Sequence, residues 1–171
     1  MENIKVVAIT GTPGTGKTTL AKRIVEKLGM YYLDPNTIIR EDPSLVIEHD
    51  DGRDTDIIDD ERLIKSIVER IKEARETEGK EGLIIDSHLS HYIPKKNIDF
   101  CIVLSCDIKE LRARLEKRGY NKMKIEENIE TETFDEILEE ARDEGHYVYN
   151  IDTSEKSSED VLKEAVDIIK S

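Results

Sequence analysis

The chain has 171 residues, of which 38% are charged and 37% are hydrophobic, and its formal net charge is −13. This length suits one well-buried domain with small insertions. The acidic balance argues against strong direct binding of nucleic acid, which needs a basic face, and it fits either plain solubility or a basic protein partner.

The first elements alternate between strand and helix. Residues 3–10 are apolar and β-branched at both odd and even positions, which predicts a strand buried on both faces of a parallel sheet. Apolar residues then recur at helical spacing from Leu20 to Leu28, and Gly29 suits the end of that helix. A short second strand is expected at residues 30–33.

The next stretch, residues 34–58, is rich in Asp, Pro and Asn, and we expect it to be an irregular insertion. Within it, Asp34 suits the cap of a short helix that begins at Pro35. A helix over residues 59–76 and a buried strand over 82–86 are expected to follow.

The remaining elements continue the alternation. A strand is predicted at 100–105, then a helix through Leu111 and Leu115 that stops at Gly119, a charged and mostly helical segment at 120–144, a strand at 146–151, and a last helix capped by Ser157 or Ser158. Five strands that alternate with helices imply a parallel sheet covered on both faces.

A glycine-rich stretch, G-T-P-G-T-G-K-T-T at residues 11–19, lies between the first strand and the first helix. It fits G-x-x-x-x-G-K-[ST], the phosphate-binding loop of nucleotide-binding proteins, in the context that this motif requires. Glycines let backbone N–H groups turn around a β-phosphate, whose charge also meets the positive end of the helix. The alternative is a glycine-rich turn capped by threonine.

Lys17 and Thr18 of this phosphate loop have specific expected roles in binding ATP and its metal ion. Lys17 is expected to reach the β- and γ-phosphates of ATP, and the Thr18 hydroxyl to ligate Mg²⁺. The loop residues expected at the ATP phosphates are Gly14, Thr15, Gly16, Lys17, Thr18 and Thr19.

Asp86 closes the predicted strand G-L-I-I-D, at the place where a second Mg²⁺ anchor is needed. The alternative is that Asp86 only caps a turn. His88 and His91 follow, and a histidine pair at this spacing could bind a metal ion, but no nearby cysteine completes a zinc site. For His88 we therefore expect either water positioning or a plain loop role.

The cysteine content and the lengths of the apolar stretches indicate where in the cell the protein is expected. Cys101 and Cys106 are too few for a four-ligand zinc site and are expected to be core thiols in a reducing cytosol. No apolar stretch approaches 18 residues and no signal-peptide pattern is present, so the sequence predicts a cytoplasmic protein that does not span a membrane.

Four segments occur in order along the chain: G-T-P-G-T-G-K-T-T-L, I-I-D-D-E-R-L, D-S-H, and R-L-E-K-R-G-Y-N-K-M-K-I-E-E-N-I-E-T-E-T-F-D-E-I-L-E-E-A. Together they resemble the adenylate kinase isoenzyme 6 family in its archaeal form. The phosphate loop is shared by many NTPases, whereas D-S-H and R-G-Y-N are far more specific. The resemblance implies an α/β P-loop NTPase fold like that of adenylate kinases, with a five-stranded parallel sheet, helices on both faces and a short lid.

On the acceptor side, the resemblance implies that residues 34–57 are a monophosphate-binding insertion within the single domain of 1–171. Arg40 matches the arginine that the family places after its second strand, which suits a bidentate grip on a monophosphate. Asn36 stands where the family commonly has glycine.

On the donor side, residues 117–127 resemble a short lid. Arg114 and Arg118 match the pair that ends the helix before it, with Arg118 at the ATP phosphates on closure and Arg114 near the adenine. The two are four residues apart, hence on one helix face. The residues that the resemblance and the motifs assign to catalysis are Lys17, Asp86, His88 and Arg118.

The activity that the resemblance implies is adenylate kinase, which converts ATP and AMP to two ADP, with accompanying ATPase activity and a role in maturation of the small ribosomal subunit beside a ribosomal protein. An acceptor phosphate is already anionic and needs no general base, so Lys17, Mg²⁺ and arginines can carry the transfer. The lid lacks the long insertion and the four cysteines of larger adenylate kinases, so leaky closure would admit water to the γ-phosphate.

Two other functions are compatible with the same residues. One is an ATPase switch that loads or releases a basic ribosomal protein, in which kinase activity is incidental. The other is a shikimate-like small-metabolite kinase, in which Asp34 would serve as base for an alcohol acceptor. Tyr31 and Tyr32 are interpreted as packing residues, and the acidic segment E-E-N-I-E-T-E-T-F-D-E-I-L-E-E could dock a basic partner or only confer solubility.

Overall fold

The computed structural model describes residues 4–77 and 79–171. Its strands are β1 (Lys5–Gly11), β2 (Tyr31–Leu33), β3 (Val46–Asp50), β4 (Thr55–Ile58), β5 (Gly82–Asp86), β6 (Phe100–Ser105) and β7 (Val148–Asp152). Its α-helices are α1 (Lys17–Leu28), α2 (Pro35–Glu41), α3 (Asp60–Glu76), α4 (Ile108–Lys117), α5 (Lys122–Thr133), α6 (Glu136–Asp143) and α7 (Ser158–Lys170).

The predicted five-stranded parallel sheet is confirmed, with strand order β2-β5-β1-β6-β7. The register pairs Ile9 with Asp86 and Gly11 with Leu104. Because the strands are parallel, the loops after β1, β5 and β6 all open at one edge of the sheet, where ligands bind in open α/β folds. The first position of the strand predicted at 3–10 lies outside the described residues.

Alternation along β1 divides the core into two layers. Val7 and Ile9 face a cluster built with α1 and α7, whereas Val6 and Ala8 face a cluster built with α3. All four side chains are completely buried. Full burial of a Val or Ile side chain stabilises the fold by about 1.5–3 kcal/mol, so β1 is anchored from both sides.

Residues 34–58 are not irregular, and the sequence-based prediction was wrong here. Asp34 caps α2 by accepting a 2.9 Å hydrogen bond from the Asn36 N–H, as expected for a helix that begins at Pro35. β3 and β4 then form a separate antiparallel hairpin. The side chains of this hairpin are mostly exposed or half-buried, so its strands lack the apolar alternation that reveals a strand in a sequence.

The charged segment 120–144 is helical, as predicted, and it is divided into α5 and α6. The division falls at Asp135, whose φ of 51° ends one helix before the next begins. Ile125 and Ile129 of α5 join Leu111 and Leu115 of α4 in a third apolar cluster beside the phosphate loop.

Both cysteines are buried free thiols, and burial raises the pKa of Cys101 to about 12. Among the described residues, no helix combines the length and the apolar character needed to cross a membrane.

Candidate active site

The phosphate loop follows β1 and turns into α1. Gly11 has φ of 139°, and a Cβ on it would lie 2.5 Å from the carbonyl oxygen of Leu104. Gly14 has φ of 94°, and a Cβ on it would lie 3.0 Å from Leu111 Cδ1. Both positions therefore need glycine, for conformation and for space. Gly16 is the N-cap of α1 and has no side chain to cover the first N–H groups of the helix, which suits an anion there.

Lys17 is folded back over this loop. Its Nζ donates to the carbonyl oxygens of Gly11 at 2.8 Å and Thr12 at 3.1 Å. Burial lowers the pKa of Lys17 to about 8, although the negative charge of Asp86 acts in the opposite direction. The ammonium is thus held at the loop by neutral oxygens, which a phosphate could replace with a stronger, charged partner.

Thr18 and Asp86, the two residues expected to ligate Mg²⁺, are in direct contact. The Thr18 hydroxyl donates to Asp86 Oδ2 at 2.7 Å, and the Tyr32 hydroxyl donates to the same oxygen at 3.0 Å. Asp86 is only 6% exposed, so its carboxylate is fixed at the end of β5. A hydroxyl and a carboxylate oxygen are the hard ligands that Mg²⁺ takes in proteins, together with water and phosphate oxygens, so the pair fits this ion.

The two histidines after β5 have different environments. Desolvation by the surrounding protein and the nearby charge of Lys17 lower the pKa of His88 to about 4, although part of its side chain is exposed. His91 is buried, with one ring nitrogen 3.0 Å from Thr10 Oγ1 and the other 3.0 Å from Glu140 Oε2. In the part of the chain that the structure describes, no group of three or more His, Cys, Asp or Glu side chains could hold a metal ion.

On the other side of the phosphate loop lies a cavity of about 540 Å³, within the size range of small-ligand sites. Arg114 and Arg118 both line it, as does Thr19. Arg114 also donates to the Gly14 carbonyl oxygen at 3.2 Å, which ties α4 to the loop. The Arg118 side chain is exposed at the end of α4, close enough to Lys17 to influence its pKa.

Sequence reasoning missed the far wall of this cavity, which the turn after β7 supplies through Thr153 and Lys156. Thr153 is buried, and its hydroxyl donates to the Thr15 carbonyl oxygen at 3.1 Å. A signal was available, because β7 is parallel to β6 and the turn after it must open at the same edge of the sheet.

Arg40 and Asn36 lie on the exposed surface of α2. The hydrogen bonds that the structure gives them stay within this helix and its cap: Arg40 Nη2 donates to Thr37 Oγ1 at 3.0 Å, and the Asn36 N–H donates to Asp34. The structure therefore brings together Lys17, Thr18 and Asp86, but it does not bring Arg40 or Asn36 into bonding contact with them.

The tip of the β3–β4 hairpin reaches the segment after α4. Arg53 donates to both carboxylate oxygens of Glu127, and Asn121 Nδ2 donates to the Gly52 carbonyl oxygen at 2.9 Å. The part of the chain expected to bind a monophosphate thus touches the part expected to form the lid.

Comparison with known proteins gives consistent results. The chain matches the AAA domain family over residues 7–135. A protein of Methanocaldococcus jannaschii named "Putative adenylate kinase" is 38% identical over 164 residues, which cover 96% of this chain and 85% of that protein. A Caenorhabditis elegans protein named "Adenylate kinase isoenzyme 6 homolog" is 36% identical over 137 residues, 80% of this chain and 72% of that protein.

A solved structure with a similar fold is a gluconokinase from Sinorhizobium meliloti 1021. It superposes with a TM-score of 0.61 and covers 95% of this chain and 90% of its own, at 18% sequence identity. This likeness concerns the fold alone.

Proposed function

The chain belongs to the adenylate kinase isoenzyme 6 family, and from that premise we propose that it is an ATP-dependent nucleoside monophosphate kinase that converts ATP and AMP to two ADP. One observation carries this proposal. The Lys17 ammonium lies against the carbonyls of the phosphate loop, and in the next residue the Thr18 hydroxyl is bonded to Asp86. A cation for phosphate and an oxygen pair for Mg²⁺ are thus adjacent.

Transfer would proceed by positioning and charge. Lys17 would exchange its carbonyl partners for the β- and γ-phosphates, while the N–H groups of the loop and of the first turn of α1 surround the β-phosphate. Mg²⁺, when bound at Thr18 and Asp86, would neutralise charge on the phosphates. The acceptor phosphate is already anionic, so no side chain has to remove a proton.

The cavity of about 540 Å³ is proposed as the donor nucleoside site. Arg114 lines it beside the loop and is held there by its bond to the Gly14 carbonyl, which suits a position near the base. Arg118 is exposed at the end of α4, so its guanidinium is free to reach the phosphates when residues 117–127 close as a lid.

The acceptor side is proposed to be residues 34–57. Arg40 is exposed on α2, where its planar guanidinium can bind a phosphate through two N–H groups. Asn36 lies one turn earlier on the same helix and offers an amide to the same ligand.

Hydrolysis of ATP is a second candidate activity, which the position of His88 favours: it lies two residues after Asp86 and close enough to Lys17 for the lysine charge to affect it. Because its pKa is lowered, the imidazole is neutral near pH 7, so one ring nitrogen can accept a hydrogen bond from a water molecule and orient it. If His88 serves hydrolysis, His88→Gln should lower ATP consumption without AMP and spare transfer to AMP. Equal loss of both rates would count against this assignment.

A role in maturation of the small ribosomal subunit, beside a basic ribosomal protein in the cytoplasm, completes the proposal. It is supported by the net charge of −13 and by the free thiols Cys101 and Cys106, which suit a reducing compartment. Binding of small ribosomal subunits in a sedimentation assay, weakening as salt is raised, would be the expected result. Indifference to salt would argue against the charge-based contact.

The kinase proposal is tested by measuring ADP formation from Mg-ATP with and without AMP. We expect AMP to raise ATP consumption at least tenfold, and Lys17→Ala to abolish that rise. No increase with AMP would refute the kinase assignment and leave the ATPase.

The acceptor site is tested by calorimetric titration with a bisubstrate dinucleoside pentaphosphate. We expect 1:1 binding that Arg40→Ala weakens by about tenfold, the loss of one good charged contact. Arg142→Ala, on α6, is the matched control, since Arg142 is also an exposed helical arginine. Equal affinities for the two variants would remove Arg40 from the acceptor site.

A further inference from the structure

Glu132, in the last turn of α5, connects two loops of the candidate site. Its Oε2 accepts a 2.5 Å hydrogen bond from the hydroxyl of Thr12, and its Oε1 accepts a 2.8 Å bond from the backbone N–H of Cys106. Thr12 is the first residue after β1 and Cys106 the first after β6. One carboxylate therefore uses both of its oxygens to hold the phosphate loop to the neighbouring loop.

This position is electrostatically unfavourable for a carboxylate. Glu132 is only partly exposed, and desolvation raises its pKa although Thr12, Cys106 and Lys17 all favour its charged form. Its negative charge would also repel the phosphates of a bound nucleotide. What the carboxylate provides at this position is two hydrogen bonds that hold both loops at once.

Hydrogen bonds connect Thr12 to Lys17 and to Thr15. The carbonyl oxygen of Thr12 accepts hydrogen bonds from Lys17 Nζ at 3.1 Å and from the Thr15 hydroxyl at 2.8 Å. Thr12 is thus held by Glu132 through its side chain, and it holds Lys17 and Thr15 through its backbone.

We propose that Glu132 is a positioning residue of the phosphate loop: it fixes Thr12, and with it the loop backbone from which Lys17 extends toward the phosphates. This inference rests on the proposed kinase function. It assigns Glu132 no contact with the substrate.

The middle of α5 is bonded to the β3–β4 hairpin. Glu127, five residues before Glu132, is bonded to Arg53 at the tip of the β3–β4 hairpin. Both glutamates are on α5, so this helix connects the hairpin to the phosphate loop.

The test compares Glu132→Gln with Glu130→Gln. Both variants remove one negative charge from α5, but Glu130 is exposed. Glutamine keeps the shape of glutamate but has one acceptor oxygen and no charge. If that oxygen stays with the Cys106 N–H, the charge-assisted bond from Thr12 is lost and only a weaker bond from the neutral amide to the Thr12 hydroxyl can replace it. We expect kcat of Glu132→Gln to fall by about tenfold or more because Lys17 is misplaced. KM for ATP should stay unchanged or fall, because a repelling charge has gone.

Amide hydrogen exchange of residues 11–17 in the unliganded protein gives a measurement that does not depend on turnover. We expect exchange there to be several-fold faster in Glu132→Gln than in Glu130→Gln, with β5 unchanged. Thr12→Val removes the other partner of the same bond, so its effect on kcat should not add to that of Glu132→Gln.

The proposal would be overturned by a kcat of Glu132→Gln within about twofold of Glu130→Gln, by unchanged exchange of residues 11–17, or by additive effects with Thr12→Val. If the wild-type protein transfers no phosphate to AMP, the kinase proposal fails. The exchange measurement then still decides whether Glu132 orders the phosphate loop.

Discussion

Arg53 binds both carboxylate oxygens of Glu127, from Nε at 3.0 Å and from Nη2 at 2.7 Å, and so joins the β3–β4 hairpin to the first half of α5. The side chains are 47% and 44% exposed. Exposed ion pairs contribute at most about 1 kcal/mol to stability. If residues 117–127 act as the proposed lid, the main effect of this pair is expected on how the hairpin and that lid close.

If these two segments close together, Arg53→Gln should raise the ratio of ATP hydrolysis to transfer by a few-fold, because a looser cleft admits water to the γ-phosphate. The measurement is ADP formation with and without AMP. Arg142→Gln, which breaks an exposed ion pair with Glu139 on α6, should leave the ratio unchanged. Glu127→Gln, which removes the charge of the other partner and leaves the Arg53–Asp50 pair in place, should raise the ratio similarly. An unchanged ratio in Glu127→Gln would show that the pair itself is not responsible.

Asp86 is expected to be essential for turnover. Asp86→Asn keeps the shape of the side chain but removes its charge, so kcat should fall by about 100-fold or more, as when an electrostatic contact of the transition state is lost. Tyr32→Phe removes only one of the hydrogen bonds to Asp86, and its loss should not exceed about tenfold. Equal rates for Asp86→Asn and the wild type would exclude Asp86 from metal binding.

Gly14→Ala should abolish or strongly weaken ATP binding. The added methyl group would contact Leu111 at 3.0 Å, and φ of 94° is strained for any residue with a Cβ. Gly29→Ala is the matched control, since Gly29 also has positive φ but no atom lies within 4 Å of the added Cβ. It should cost about 1 kcal/mol of stability and leave the affinity for ATP unchanged. Calorimetric titration with ATP measures the affinity of both variants, and thermal unfolding measures their stability. Similar ATP affinities for the two variants would contradict the prediction.

The affinity for ATP should fall above about pH 8. The pKa of Lys17 in the unliganded protein is lowered to about 8, so above that pH the binding of phosphates requires uptake of a proton. The dissociation constant should then rise by up to about tenfold per pH unit. The phosphates stay fully ionised in this range, because their last pKa is near 6–7. Lys17→Arg, which keeps its charge, should bind with little dependence on pH between 8 and 10.

The stability of the unliganded protein should respond to pH in the opposite direction to its affinity for ATP. The pKa of Lys17 is lower in the folded protein than its ordinary value of 10.5, so between about pH 8 and pH 10.5 the unfolded chain binds the additional proton. Stability of the unliganded protein should therefore rise with pH in this window, relative to Lys17→Met. A wild-type protein whose unfolding free energy follows that of Lys17→Met would show that Lys17 does not titrate there.

The local parts of the fold were predictable because their signals are local. The apolar run of β1, the G-x-x-x-x-G-K-T motif and the αL cap at Gly29 each lie within a few residues, and each was found where expected. The β3–β4 hairpin was missed because its exposed strands carry no apolar period. The Asp51-Gly52 pair between them is nevertheless a recognised hairpin signal.

Contacts between distant residues could not be read in the same way. Thr12 and Glu132 are 120 positions apart and meet only because α5 packs against α4 and brings its last turn to the loop. The predicted parallel sheet indicates the edge at which the turn after β7 opens, but the contact of Thr153 with Thr15 depends on the order of the strands. Such contacts depend on the assembled fold, and periodicity or motif spacing does not encode them.

The floor of the phosphate loop is made of core residues: Leu111 and Leu115 lie directly under Gly14 and belong to the same apolar cluster as Ile125 and Ile129. Melting of that cluster would withdraw the surface on which the loop rests. Heat inactivation and loss of tertiary structure should thus have the same midpoint temperature. A stored preparation should contain active and unfolded molecules, with no folded but inactive population.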